Sequence, residues 1–211
     1  MNIHPSLLAA NPLRLEAEIQ KVLNLGLKHL HIDMMDYHFT QNFGMTEQIC
    51  QEITNHYKTI TLDVHLMTNP VNISLIESLL KMGIHDISIH IDMIDSHALD
   101  ELMTIKELNL RAALLPHESI SPILNKGLDR VLILAVAPGF SGQQMQPQAL
   151  ALAKEAKVSG LDVLFDGGVN LETAQQVLSC KPDAIVVGSA LFHKAQTEQQ
   201  AIIHLLSGPQ D

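Results

Sequence analysis

The stretch Ile3–Met34, IHPSLLAANPLRLEAEIQKVLNLGLKHLHIDM, contains the pattern that decides the fold. Two short apolar runs, Ile3–Leu8 and His29–Met34, have the length and composition of β-strands. Between them, Pro12–Leu25 carries apolar residues at helical spacing, with an Asn-Pro pair at its start and a glycine after its end. The stretch therefore predicts a strand, a helix and a second strand.

The same alternation continues along the chain. Further strands are predicted at Thr59–Leu66, Asp86–Ile91, Arg111–Leu115, Arg130–Val136, Asp162–Phe165 and Ala184–Val187. Further helices are predicted at Thr46–His56, Pro70–Met82, Ser96–Leu108, Ile120–Lys126, Pro147–Val158, Leu171–Leu178 and Thr197–Leu206. Strict alternation favours a parallel sheet, and eight such units can close into a (β/α)₈ barrel. The alternative is an open doubly wound sheet, but the first strand–helix turn lacks the Gly-rich nucleotide fingerprint. We expect one α/β barrel domain over residues 1–211.

Composition and charge exclude several classes of function. The chain has 211 residues and a net charge of −10, from 13 Lys and Arg against 23 Asp and Glu. Without a basic stripe, neither nucleic acid nor a membrane surface is an expected partner, although backbone N–H groups could still bind an anionic small molecule. Two cysteines and the absence of a signal-peptide pattern favour a reducing compartment. We expect a cytoplasmic protein.

Chemically reactive side chains occur where predicted strands end. His31 and Asp33 lie two apart on the second strand, so both point to the same face, which in a barrel is the interior. Leu30, Ile32 and Met34 alternate with them and are expected to pack outward against helices. A hydrogen-bonded polar pair at a strand end is an equally good interpretation of these two residues alone.

Other strands add candidates to this pair. His65 ends the third strand with Asp63 on the same face, and Asp166 follows the apolar run of the seventh strand, where it could also simply begin a turn. We interpret Asp63 as a buried support and His90, at the end of the fourth strand, as a polar neighbour of the site. Two imidazoles and two carboxylates, from His31, Asp33, His65 and Asp166, would suit one divalent metal ion: zinc, iron, manganese or cobalt.

Three Gly-containing loops follow the last three strands. They contain Gly139, Ser141 and Gly142 in "VAPGFSGQQM", Gly168 in "DGGVN", and Gly188 and Ser189 in "IVVGSALF". Each loop alone is explained by a tight turn. Together, at adjacent strand ends of a barrel, they predict a phosphate-binding site.

Six segments carry a family resemblance, in chain order: "HPSLLAANPLRLEAEI", "LHIDMMDYHF", "VHLMTNP", "APGFSGQ", "FDGGVN" and "VVGSALF". The chain resembles the ribulose-phosphate 3-epimerases and their relatives, including the allulose-6-phosphate 3-epimerases. The resemblance implies a (β/α)₈ barrel that binds one divalent metal ion through the four residues named above. It also implies an isomerase of a phosphorylated sugar and a homo-oligomer, either a dimer or a hexamer.

The resemblance further implies roles for individual residues. Asp33 and Asp166 would be the acid and base that invert C3 of a ketose phosphate from opposite faces. Ser6 and His65 would contact the substrate, and the Gly and Ser residues of the three loops would hold its phosphate. Met35 and Met67 would wall the site and exclude water.

Several residues depart from the family pattern on the same face of the barrel. Tyr37 replaces a glycine, where its large ring would wall the site, and "TQN" replaces "VPN". Leu134, Ala137 and Ser141 replace a methionine, a glutamate or asparagine, and a glycine or alanine. A non-catalytic phosphosugar-binding barrel is the alternative that these changes leave open. A metal-free barrel such as a decarboxylase is a third reading, which the missing lysine near Asp33 disfavours.

Overall fold

The computed structural model describes residues 1–207, and the last four residues of the domain predicted over 1–211 lie outside the described residues. Its strands are β1 Asn2–Pro5, β2 His29–Met35, β3 Thr61–Met67, β4 Asp86–Ile89, β5 Asn109–Leu114, β6 Arg130–Leu134, β7 Asp162–Asp166 and β8 Ala184–Val187. Its helices are α1 Leu15–Asn24, α2 Glu47–His56, α3 Ile73–Lys81, α4 Ser96–Met103, α5 Ser121–Lys126, α6 Gln148–Val158, α7 Ala174–Leu178, α8 Ser189–Phe192 and α9 Gln196–Ser207. Within these bounds, none of the helices combines the length and apolar character needed to cross a membrane.

The eight strands form one parallel sheet in the order β1-β8-β7-β6-β5-β4-β3-β2. A parallel bridge between Ser6, just after β1, and His31 of β2 closes the ring. This closure confirms the predicted (β/α)₈ barrel and excludes the open doubly wound sheet. It also brings the carboxyl ends of all eight strands to one mouth, where the active sites of such barrels lie.

Some element boundaries differ from those predicted. The first strand ends at Pro5, and Leu7–Ala9 forms a 3₁₀ turn that starts the connection to α1. The helix predicted from Pro70 begins at Ile73, because the side chain of Asn72 accepts the Leu75 N–H and caps it there. Propensity alone places such starts within a few residues, and the cap decides the exact position.

The apolar side chains pack in two layers around the sheet. Leu30, Ile32 and Met34 of β2 are buried against the helices, as predicted from their alternation. A smaller cluster fills the barrel interior and includes Met35, Met67, Leu132, Leu134 and Leu164. Burial of each such side chain contributes about 1.5–3 kcal/mol, so this rigid interior can hold polar side chains in fixed positions at the mouth.

Candidate active site

Four side chains converge at the mouth of the barrel: His31 and Asp33 from β2, His65 from β3 and Asp166 from β7. Each is buried and offers one ligand atom, and these four atoms all lie within 4.8 Å of one another. The structure therefore brings together the four residues predicted as metal ligands.

Two imidazole nitrogens in this cluster, unpaired among the described residues, indicate that a metal ion would fit. Nε2 of His31 and Nδ1 of His65 are buried without a hydrogen-bond partner. They lie 3.3 Å and 3.6 Å from Oδ1 of Asp33. Leaving a buried polar atom unsatisfied costs about 1–3 kcal/mol, and coordination of a cation would satisfy both. Two imidazole and two carboxylate donors fit zinc, iron, manganese or cobalt.

The two carboxylates of the cluster differ in pKa. Burial alone would raise the pKa of Asp33, but the nearby imidazoles of His31 and His65 outweigh it and hold the pKa well below its usual range. Burial raises the pKa of Asp166 to about 6, and the charge of Asp33 adds to this effect although His31 opposes it. Two carboxyl groups whose surroundings push their pKa values apart suit an acid and a base.

Buried partners orient both histidines. Nδ1 of His31 donates to Oδ2 of Asp63 at 2.8 Å, and the same oxygen lies 3.1 Å from Nδ1 of His4. Asp63 is thus a buried partner of His31, one of the four predicted ligands. Nε2 of His65 lies 3.1 Å from Nε2 of His90, whose pKa is lowered to about 3 by burial and then by His65.

Two contributors to the site were missed by sequence reasoning. His4 is not among the predicted site residues, although its place two residues before Ser6, on the same face of the first strand, could have indicated it. Gly44 packs on the end of β2, where a Cβ atom would overlap the backbone of Asp33 and Met35. A single glycine in a loop does not by itself predict this close contact between the loop and the backbone of β2.

A cleft that opens to solvent lies beside Asp33 and Asp166, with about 570 Å³ of empty space including its open mouth. Predicted site residues along its lining are Ser6, Asp33, Met67, Gly139, Ser141, Gly142, Asp166, Gly168, Gly188 and Ser189. Ser6 also donates from Oγ to Oδ2 of Asp33 at 2.9 Å. The three Gly-containing loops thus share one cleft with both carboxylates. Met35 is not among the lining residues, but packs with Met67 in the interior cluster.

The loop after β2 is shaped by Asp36. Its carboxylate accepts the N–H groups of His38, Phe39 and Asn69, which ties this loop to the end of β3. Tyr37 on the same loop is 61% exposed and stacks on Phe43, with ring centroids 5.5 Å apart. The structure therefore places Tyr37 outside the lining of the cleft, in contrast to its predicted position as a site wall.

The same loop is joined to the β6–α6 loop across the mouth. Oγ1 of Thr40 donates to the carbonyl of Pro138 at 3.1 Å, and Nδ2 of Asn42 donates to the carbonyl of Gly139 at 2.6 Å. Gly139 has a φ of 117°, a conformation that favours glycine. The first of the predicted phosphate loops is thus held in place by residues of the β2–α2 loop.

Fold and site together define a (β/α)₈-barrel enzyme with a two-histidine, two-carboxylate centre beside a Gly-rich cleft. A family model, described as the ribulose-phosphate 3 epimerase family, matches residues 2–192. The chain belongs to this family, and the prediction of an isomerase is confirmed at that level.

Curated relatives cover most of the chain. The cytoplasmic isoform of ribulose-phosphate 3-epimerase from Oryza sativa subsp. japonica is 31% identical over 204 residues, which are 92% of this chain and 88% of the relative. Ribulose-phosphate 3-epimerase from Buchnera aphidicola subsp. Acyrthosiphon pisum is 33% identical, covering 89% of this chain and 86% of the relative. The Escherichia coli K12 protein of the same name is 31% identical, covering 90% and 88%.

Solved structures at lower identity share the barrel. Phosphoribosyl anthranilate isomerase from Thermus thermophilus is 15% identical, with a TM-score of 0.71 and 98% of each chain covered. Thiamine phosphate pyrophosphorylase from Pyrococcus furiosus is 15% identical, with a TM-score of 0.62, covering 98% of this chain and 93% of that one. At this identity the likeness concerns the fold alone.

Proposed function

We propose that this protein is a metal-dependent epimerase that inverts C3 of a phosphorylated ketose, such as D-ribulose 5-phosphate. The observation that carries the proposal is the position of Asp33 and Asp166. These two carboxylates belong to one metal-ready cluster and line the same cleft as the three Gly-containing loops. A proton-transfer pair and an anion-binding region are thereby available to one small substrate.

The metal ion would be held by the two histidines and the two carboxylates. When bound, it would act as a Lewis acid that stabilises the negative charge on the substrate as the C3 proton leaves. The protein contributes fixed geometry, because all four ligands sit on strands and both histidines are oriented by buried partners.

Asp33 and Asp166 would move the protons. One carboxylate takes the proton from C3, and the electron pair of the broken C–H bond moves toward the neighbouring carbonyl. The other carboxyl group then returns a proton to the opposite face of C3, which restores the carbonyl and inverts the centre. The lowered pKa of Asp33 keeps this group ionised, and the raised pKa of Asp166 brings it closer to the range suited to a proton donor. Ser6 orients Asp33 by donating to it.

The remaining cleft residues would bind the phosphate and exclude water. Backbone N–H groups at Gly139, Gly168 and Gly188 are suited to a phosphate, and Ser141 and Ser189 add hydroxyl groups. Met67, only 2% exposed, would shield the reacting carbon from solvent.

Hydrogen exchange at C3 tests this proposal. The metal-loaded protein is incubated in D₂O with D-ribulose 5-phosphate or D-allulose 6-phosphate, and deuterium at C3 is followed by NMR. We expect the wild type to incorporate deuterium and form the epimer, and Asp33→Asn and Asp166→Asn to lose at least about 10²-fold in rate. Asp100→Asn, whose carboxylate is 62% exposed and pairs with Lys126, is the matched control.

The result against the proposal is equally specific. A metal-loaded protein that exchanges C3 hydrogen with no pentulose or hexulose phosphate would contradict it. Tight binding of these sugars without exchange would indicate a binding barrel without turnover.

A further inference from the structure

Two buried imidazoles face each other at the edge of the metal cluster. Nε2 of His65 and Nε2 of His90 are 3.1 Å apart, and the two rings are 0% and 2% exposed. Two N–H groups, or two bare lone pairs, would repel each other at this distance. One of the facing nitrogens therefore carries the proton and the other accepts it.

The position of the other nitrogen of His65 decides which one donates. Nδ1 of His65 is the buried atom without a partner, and it lies 3.6 Å from Oδ1 of Asp33 inside the ligand cluster. A ligand nitrogen must present a lone pair to a metal ion. The proton of His65 is consequently on Nε2, so Nε2 of His90 is the acceptor and the proton of His90 is on Nδ1.

We propose that His90 is a positioning residue for the metal site: its Nε2 accepts from His65 and holds that ring in the tautomer and orientation that presents Nδ1 to the metal ion. Asp63 orients His31 in the same way, by accepting a hydrogen bond from its ring, but Asp63 is an anion. His90 provides an uncharged acceptor instead. This inference rests on the metal site of the proposed function and is independent of the sugar substrate.

The surroundings of His90 fix its own orientation. Its carbonyl accepts the N–H of Met93 at 3.0 Å, which sets the backbone just after β4. The ring of Phe39 lies against the imidazole, with centroids 4.6 Å apart. Phe39 is held in turn by Asp36, which accepts its N–H at 2.7 Å. A supporting group fixed by packing and hydrogen bonds can orient a ligand; a mobile one cannot.

Cobalt(II) binding provides the test, without any need for turnover. Affinity is measured by competition with a chelator, and the visible spectrum of the bound ion reports its ligand geometry. His90→Leu removes the acceptor, whereas His90→Gln places an amide oxygen near the position of Nε2. Ser88→Ala is the matched control, because its buried hydroxyl lies on β4 opposite His65 but has no hydrogen-bond partner among the described residues.

The proposal predicts a distinct result for each variant. His90→Leu should weaken cobalt(II) binding by about 10–100-fold and alter the spectrum. His90→Gln should recover most of the affinity, and Ser88→Ala should match the wild type. If His90→Leu does not fold, His90→Asn serves instead, because its shorter amide falls short of the Nε2 position and should bind the ion more weakly than His90→Gln.

Two outcomes would overturn the inference separately from the proposed function. A folded His90→Leu protein with wild-type cobalt(II) affinity and spectrum would show that His90 has no positioning role, and the metal site itself would stand. Wild-type affinity in both the Gln and Asn variants would show the same. A wild-type protein that binds no cobalt(II) would overturn the metal site itself, and this inference with it.

Discussion

Oδ2 of Asp63 lies 2.8 Å from Nδ1 of His31, which leaves Nε2 of the same ring for the ligand cluster. Burial opposes ionisation of Asp63, yet the charge of His31 and hydrogen bonds with His31 and His4 hold its pKa well below the usual range. An anionic acceptor fixes the tautomer of a ligating histidine and raises its basicity. Asp63, beneath the site, is therefore positioned to support the proposed metal site through His31.

Replacement of Asp63 should therefore weaken the metal site. Asp63→Asn keeps the size of the side chain but removes its charge, and we expect cobalt(II) affinity to fall by about 10–100-fold in chelator competition. Asp100→Asn changes the same functional group on the surface and should bind like the wild type. Unchanged affinity in Asp63→Asn would show that His31 does not need the carboxylate.

Metal affinity should also depend on pH. Metal binding requires deprotonated ligands, and burial raises the pKa of Asp166 to about 6. Burial alone would lower the pKa of His31, but Asp33, Asp63 and Asp166 raise it well above its ordinary value. As pH falls, protons therefore compete first at His31 and then at Asp166.

Between about pH 7.5 and about pH 5.5, affinity should fall by about tenfold per pH unit for each proton displaced. Calorimetric titrations in two buffers with different ionisation enthalpies measure the number of protons released. Equal affinity at both pH values with no proton release would contradict the pKa shifts on which this expectation rests.

Gly44→Ala should damage the site more than the fold. The N–H of Met45 donates to the carbonyl of Asp33 at 2.7 Å, and a Cβ atom on Gly44 would overlap that same carbonyl. Because β2 must shift to relieve the overlap, we expect weaker cobalt(II) binding and slower C3 exchange.

Gly83→Ala is the control for Gly44→Ala, since Gly83 has a φ of 81° with open space around it, far along the chain from the ligands. It should lower the free energy of unfolding by about 1–2 kcal/mol without changing metal affinity. Equal effects of the two variants on the metal site would rule out a specific role for Gly44.

The link between Thr40 and Pro138 should affect substrate binding. Thr40→Val keeps the shape of the side chain but removes the donor to the Pro138 carbonyl. Loss of a hydrogen bond worth about 1 kcal/mol should raise the KM for the proposed phosphorylated ketose substrate by about fivefold with little change in kcat. Hydrogen exchange of residues 137–143 should increase in parallel.

Thr54→Val is matched to Thr40→Val, because Thr54 also donates from its side chain to a backbone carbonyl, that of Gln51, within α2. It should leave KM unchanged. If Thr40→Val also leaves KM and loop exchange unchanged, the link does not order the β6–α6 loop, the first of the predicted phosphate loops.

The barrel and the convergence of the four predicted ligands could be predicted from sequence because both follow from short repeats. Side chains alternate along a strand, so His31 and Asp33 had to share a face opposite Leu30 and Ile32. Parallel strands meet at one mouth, so polar residues at the ends of β2, β3 and β7 had to converge. Element boundaries were less predictable. The first strand ends at Pro5 instead of the predicted Leu8, because Leu7–Ala9 forms a 3₁₀ turn.

By itself the sequence determined the barrel, the cluster of two histidines and two aspartates at its mouth, and the Gly-containing loops of this protein, because local periodicity and strand direction specify them. The tertiary structure alone decided the contacts between distant segments: Asp63 with His4, His65 with His90, Gly44 with Asp33, and Thr40 with Pro138. The tertiary structure also decided that the ring of Tyr37 stacks on Phe43 and lies outside the lining of the cleft. Such contacts depend on how loops and rings pack in three dimensions, and no periodicity along the chain records that packing.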